Sequence, residues 1–224
     1  MRFLSHVLQI YAKDMRTEWR SREIVYTTGL FAALLVLVFS FAFSADGRPL
    51  PGAAGGVLWV VIAFSGTLGL TRFFEREGET LGALLLSPVS PAAIYLAKLL
   101  AVTSFMLLTE ALLLPLLALL FQLRVESIPL LVALVLLGSV GYAAVGCLFA
   151  AGLMRARSRE VLLGILTYPI VLPVIIAGAK GTAALVAGGG QLAAAPLWLK
   201  LVALFDLVFV TLSVFVFGPL VNTD

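Results

Sequence analysis

Six stretches of this sequence run for roughly twenty residues or more with at most two charged residues each, and that pattern leaves few folds open. A hydrocarbon layer about 30 Å thick asks for about 20 apolar residues of a helix that rises 1.5 Å per residue. The stretches are 24–45, 53–71, 92–121, 128–154, 161–179 and 197–221. The third and fourth exceed one crossing, and tilt or extension beyond the lipid absorbs the excess. Transmembrane strands alternate apolar and polar residues, whereas these runs are apolar on all sides, so a barrel is not expected. With 62% hydrophobic and 12% charged residues in 224, and a mean hydropathy of +1.12, no water-soluble core absorbs the apolar surface. The predicted fold is an all-α membrane protein, a single permease domain over 24–221 preceded by a cytoplasmic helix over 1–23.

Lysine and arginine gather on the cytoplasmic side of membrane proteins. With the amino terminus inside, eleven of the 15 basic residues fall on that side: five in 1–23, then Arg72, Arg76, Lys98, Arg155, Arg157 and Arg159. Arg48, Arg124, Lys180 and Lys200 fall on the other, so both termini are expected in the cytoplasm. Topology and anionic headgroups account for the +3 net charge without a nucleic-acid partner. Asp14, Glu18 and Glu23 interrupt the first 23 residues, so no cleavable leader is expected there. One cysteine, Cys147, and one histidine, His6, give neither an internal disulfide nor a paired metal or haem ligand set, and no metal is expected.

At helical spacing Phe3, Leu4, Val7, Leu8, Ile10, Tyr11, Met15 and Trp19 share half of a wheel, while Ser5, Gln9, Lys13, Arg16 and Arg20 share the other half. An interfacial helix on the inner leaflet is predicted, docking a partner or anchoring the chain. Asp14 and Glu18 intrude on its apolar half, so part of that face is expected to meet protein or water. The loop 72–91 joins a charged run, Glu75-Arg76-Glu77-Gly78-Glu79, to an apolar stripe of Leu81, Leu84 and Leu85. It predicts a short amphipathic helix, closed by Ser90 and Pro91 as cap and first turn of the next span. Read as charge alone, it is a solvated loop on the headgroups.

Pro115, Pro169 and Pro173 lie within spans and predict kinks, Pro115 by freeing the Ala111 carbonyl. Glu110 and Asp206 are carboxyl groups at membrane depth, where ionisable groups face protein or water and are functional candidates. A proton or substrate pathway is one reading; a protonated or hydrogen-bonded helix contact is the other and the better supported, because no deep basic residue is available to pair with them. Lys98 and Lys200 are expected to snorkel. Ser139, Ala143, Gly146 and Ala150 form a row of small residues suited to close packing against other spans or a second copy of the chain. Trp19, Trp59 and Trp198 read as interfacial anchors. The segment 181–196, broken by Gly188-Gly189-Gly190, is expected to be too short for a crossing and able to dip into the outer leaflet. No phosphate-binding loop, zinc-protease helix or nucleophile elbow is present, so no catalytic residue is assigned, and an energy-driven process needs its nucleotide-hydrolysing part on another polypeptide.

The run from Glu75 to Val89, followed by Ile94-Tyr-Leu-Ala-Lys98-Leu, resembles the cytoplasmic coupling region of six-span ABC-2 type permeases. It resembles more closely the CcmB family of haem exporter subunits, as do Arg159 to Ala177 and the closing Trp198 to Phe209. The resemblance spans nearly the whole chain. It implies a non-catalytic subunit of a bacterial inner-membrane complex of cytochrome c maturation, with a separate ATPase, CcmA, and membrane partners CcmC and CcmD. There, ATP hydrolysis on the partner releases the haem-loaded chaperone CcmE. The resemblance implies no cofactor on this chain, with haem as pathway cargo, and makes Glu75, Arg76, Glu77, Gly78, Glu79, Leu81, Leu84 and Leu85 the residues through which force enters.

Three other readings stay open on the residues alone. An ABC-2 permease for a drug, lipid or polysaccharide shares the coupling loop. A proton-coupled carrier uses Glu110 and Asp206 and needs no ATPase. A passive scaffold needs neither.

Overall fold

The computed structural model describes residues 2–21, 23–45, 48–85, 89–154, 156 and 158–221; for 2, 19–21, 23–24, 45, 48–49, 51 and 76–85 it gives the backbone only. Seven long helices account for most of the chain: α1 (Arg2–Ser21), α2 (Glu23–Ala42), α3 (Ala54–Leu85), α4 (Pro91–Leu120), α5 (Ile128–Gly152), α6 (Arg159–Ala187) and α7 (Ala195–Val221). All but α1 are long and apolar enough to cross a membrane, as the sequence predicts. A two-residue antiparallel bridge, β1 (Ser44–Ala45) with β2 (Arg48–Pro49), closes the turn between α2 and α3.

Helix α5 is the hub. It packs against α7 and α6 most extensively and also against α3 and α4, and its row of small residues is buried. Gly146 lies against Leu70 of α3 so closely that a methyl group there would collide with it. The same logic operates on α2, where Thr28, Ala32, Val36 and Ser40 recur every four residues and are buried, while Tyr26, Leu30, Leu34, Val38 and Phe41 on the other side are exposed. With hydrocarbon outside, exposed leucine and phenylalanine carry no penalty, and close approach of small residues replaces the hydrophobic effect as the source of helix pairing.

Three sequence expectations change. The amphipathic helix foreseen in 72–91 is helical but not separate, because α3 runs unbroken for 32 residues, about 48 Å, from Ala54 to Leu85. No proline or turn-forming pair interrupts Thr71 to Leu85, so the span and the coupling segment are one rod; residues 86–88 lie outside the described residues. The segment 181–196 is not a separate element: α6 continues to Ala187, and Gly188 and Gly189, with φ of +65° and +57°, end it and lead through a short 3-10 turn at Gly189–Ala194 into α7. The glycine run is a stop signal, not a flexible break.

Trp59 is the third change. It is no surface anchor: it is 1% exposed and donates from Nε1 to Thr182 Oγ1 on α6 at 3.0 Å. Its ring fills the space left open by Gly138 of α5 and Gly178 of α6, where any Cβ would overlap the indole. Trp198 is half-buried, with its Cβ near Gly181, and the side chain of Trp19 lies outside the described residues. Pro115, Pro169 and Pro173 sit inside continuous helices, as does Pro219 of α7.

A candidate coupling site where three helices meet

Near the end of α3 that carries Glu75, α1, α4 and α6 converge. Phe73 and Phe74 turn inward and are buried, while Arg72 and Glu75 face out, 3.5 Å apart between Nη1 and Oε2. The backbone of Arg76, Glu77, Gly78, Glu79, Leu81, Leu84 and Leu85 continues the helix, and their side chains lie outside the described residues. From the α6 side Arg159 donates from Nη2 to the Thr71 carbonyl at 3.4 Å, and Glu160 lines the same hollow as Glu75.

The α1 side holds the residues that sequence reasoning placed differently. Lys98 does not snorkel. Its side chain is fully buried, its Nζ 2.6 Å from Asp14 Oδ2 of α1 and 5.5 Å from the centre of the Phe73 ring. Lys13 Nζ reaches the other Asp14 oxygen at 2.9 Å. Tyr11 and Ser104 join hydroxyls at 3.1 Å, so α1 lies across the first half of α4. Val7, Ile10, Asp14 and Glu18 form the buried stripe, Leu4 and Leu8 are exposed on its flank, and Ser5, Gln9, Lys13, Arg16 and Thr17 make up the polar exposed remainder. The two acids that interrupt the apolar half of the wheel therefore do meet protein. The missed signal was Lys98 itself, a lysine seven residues into a span with an acid available on the one amphipathic helix.

The deep carboxyl groups are kept apart. Glu110 of α4, 2% exposed, accepts from the Ser139 hydroxyl of α5 at 2.7 and 2.9 Å, and that hydroxyl also lies 2.8 Å from the Val135 carbonyl. Asp206 of α7, 7% exposed, packs onto Gly141 of α5 with neither carboxyl oxygen hydrogen-bonded among the described residues. Ser139 and Gly141 are two positions apart on α5 and point to nearly opposite sides, so the carboxyl groups approach that helix from opposite faces. The arrangement is a pair of helix contacts, not one polar path.

A polar cluster that the sequence did not signal lies between α3, α5 and α6. Tyr142 donates to the Ala63 carbonyl at 2.9 Å, and Thr67 bridges the Tyr142 and Tyr168 hydroxyls, the latter at 3.0 Å. Two of its members, Thr67 and Tyr168, line a cavity of about 410 Å³ that Arg72, Glu75 and Glu160 also line.

The model of a known family, described as CcmB protein, matches residues 5–223. Curated relatives include heme exporter protein B of Pseudomonas aeruginosa, 29% identical over 171 residues covering 75% of this chain and 77% of that protein. The protein of the same name from Haemophilus influenzae is 29% identical over 191 residues, 83% of this chain and 86% of its own length. That of Paracoccus denitrificans is 30% identical over 185 residues, 81% and 84% respectively.

Proposed function

The chain belongs to the CcmB family, and from that premise we propose that it is the membrane permease subunit of a haem-export ABC complex serving c-type cytochrome biogenesis. ATP is hydrolysed on a separate CcmA-like chain, and the complex acts with CcmC-like and CcmD-like membrane partners to release a haem-loaded CcmE-like chaperone. The subunit lies in the bacterial inner membrane with both termini in the cytoplasm, and it contributes mechanics rather than catalysis.

The observation that carries this reading is the continuity of α3. A push on Glu75 to Leu85 travels along one rod to Trp59, which touches α5 at Gly138 and α6 at Gly178 and Thr182. Such a rod has no loop to absorb the displacement, so motion at its exposed end reaches the centre of the bundle. The ion pair of Asp14 with Lys98, over Phe73, ties α1 and α4 to the same rod. The separation of Glu110 and Asp206 around α5 lends no support to a proton-coupled carrier.

The test is purification of the tagged chain from its native membrane, with and without Glu75, Glu77 and Glu79 changed together to lysine. Expected are an ABC ATPase and cytochrome c maturation proteins with the wild type, and for the variant an intact bundle that no longer couples ATP hydrolysis to cytochrome c formation. Full cytochrome c maturation by the triple variant overturns the coupling role. An ATPase recovered without maturation proteins moves the chain to a general ABC-2 exporter.

A further inference from the structure

The cavity beside α3 is graded from apolar to ionic in the way an amphiphile is. Phe31 of α2 and Phe64 of α3 form its apolar wall and remain 37% and 49% exposed, and the Phe64 and Tyr168 rings are 5.8 Å apart between centroids. The hydroxyls of Thr67 and Tyr168 lie next along it, half-buried. Arg72, Glu75 and Glu160 line its mouth, where it adjoins a second hollow of about 540 Å³ that Arg159 also lines. Together these fall in the size range of small-molecule sites.

The mouth is unusual in its charges. Glu75 of α3 and Glu160 of α6 line this mouth together, so two carboxyl groups from different helices face one space, an arrangement that a cation stabilises. Arg72 is partly engaged by Glu75 at 3.5 Å, longer than a good charge-assisted bond, and is more than half exposed. The first turn of α6 begins here, its cap residue Ser158 makes no side-chain cap bond among the described residues, and a helix start of this kind favours an anion. A ligand that satisfies this mouth carries an anion and a primary ammonium a few ångströms apart.

We propose that this groove is a binding site for an aminophospholipid of the phosphatidylethanolamine type. The phosphate is held by Arg72 with the start of α6, the ammonium by Glu75 and Glu160, an ester carbonyl by the Tyr168 hydroxyl, which accepts from Thr67 and keeps its own proton to donate, and one acyl chain lies against Phe31 and Phe64. The occupant is a lipid rather than free phosphoethanolamine because the apolar wall is continuous with the exposed membrane face of α2. A choline headgroup has no N–H to donate to the carboxylates, and a glycerol headgroup has no positive charge, so the site discriminates between headgroups on the same acyl chains. The proposal requires only that the chain lies in a bilayer; the site shares Glu75 with the coupling segment, so its test is made at Glu160.

The test is native mass spectrometry of the delipidated full chain, titrated with dioleoyl phosphatidylethanolamine, phosphatidylcholine and phosphatidylglycerol. Expected is one tightly retained phosphatidylethanolamine, preferred about tenfold over the other two, as one or two charge-assisted hydrogen bonds provide. Glu160→Gln, which lies outside the coupling segment, is expected to abolish that preference while leaving the weaker binding of the other lipids unchanged. Glu126→Gln, remote from the groove, is expected to retain it. Equal retention of all three lipids by the wild type, preference for phosphatidylglycerol, or an unchanged preference in Glu160→Gln each overturns the proposal. So does crosslinking from Phe64 in native membranes that yields only a protein partner and no lipid.

Discussion

Asp14 and Asp206 are both buried at helix crossings, yet α1 is fastened to α4 through charge, while α7 meets α5 at Asp206 through shape. At the first crossing Asp14 lies 2.6 Å from Lys98 and both side chains are sealed from solvent. At the second, Asp206 makes no hydrogen bond among the described residues and is accommodated because position 141 is glycine. The shape-based style extends through the bundle centre, where Trp59 occupies the gap between Gly138 and Gly178. A charge contact is strong only while both partners are present, because removing one leaves the other stranded in a medium that does not solvate it. A shape contact tolerates loss of a polar atom and fails when volume is added. The amphipathic helix is thus built into the permease body with one vulnerable charge contact beside its apolar stripe and the Tyr11–Ser104 hydroxyl pair, and the bundle is held by many contacts that fail differently.

That contrast orders the expected effects of substitution. Asp14→Asn removes the carboxylate opposite Lys98 and is expected to destabilise by about 3–5 kcal/mol, read as a large fall in the Tm of the detergent-solubilised protein. Asp14→Leu combined with Lys98→Met is expected to recover most of that loss, and a double variant as unstable as the single one would end the charge-fastened account. Gly138→Ala drives a methyl group into the indole of Trp59 and is expected to cost about 1–3 kcal/mol; a double-mutant cycle with Trp59→Leu should show strong coupling. Trp59→Phe keeps most of the ring volume but loses the bond to Thr182, for about 1 kcal/mol, visible as a modest Tm shift. Asp206→Asn is expected to change stability by less than about 1 kcal/mol because no bonded partner is lost, and Glu110→Gln similarly because an amide oxygen still accepts from Ser139. A large fall at Asp206 would break the comparison by revealing a polar partner at that crossing.

Much of the site was readable in the chain and some was not, for reasons that particular residues make plain. Asp14 and Glu18 on an apolar helix face announced that α1 meets something other than lipid, because acids in hydrocarbon need compensation. The pairing with Lys98 escaped because lysine near a helix end has a cheaper alternative, reaching back to the interface. Trp59 had the same ambiguity: a tryptophan in the outer part of a span fits an interfacial belt, and only the opposing glycines of two distant helices turn it inward. The joined span and coupling segment were separated in the sequence reading by a change from apolar to charged residues, which alters the surroundings of a helix without ending it. The meeting of Glu75 and Glu160 at one cavity mouth and the hydroxyl bridge of Thr67, Tyr142 and Tyr168 had no local signal, since each partner comes from a different helix.

By itself the sequence determined the number of spans and the amphipathic character of α1, through run length and periodicity, which the thickness and low polarity of a bilayer enforce residue by residue. It also carried the family, through motifs legible in linear order. Which carboxyl groups are paired, which tryptophan is buried and where the amphiphilic groove opens were decided only by the tertiary structure. Those properties belong to contacts between helices whose faces are apolar almost all round, and hydropathy cannot rank such faces. Only the fit of small residues against large ones selects which sides meet.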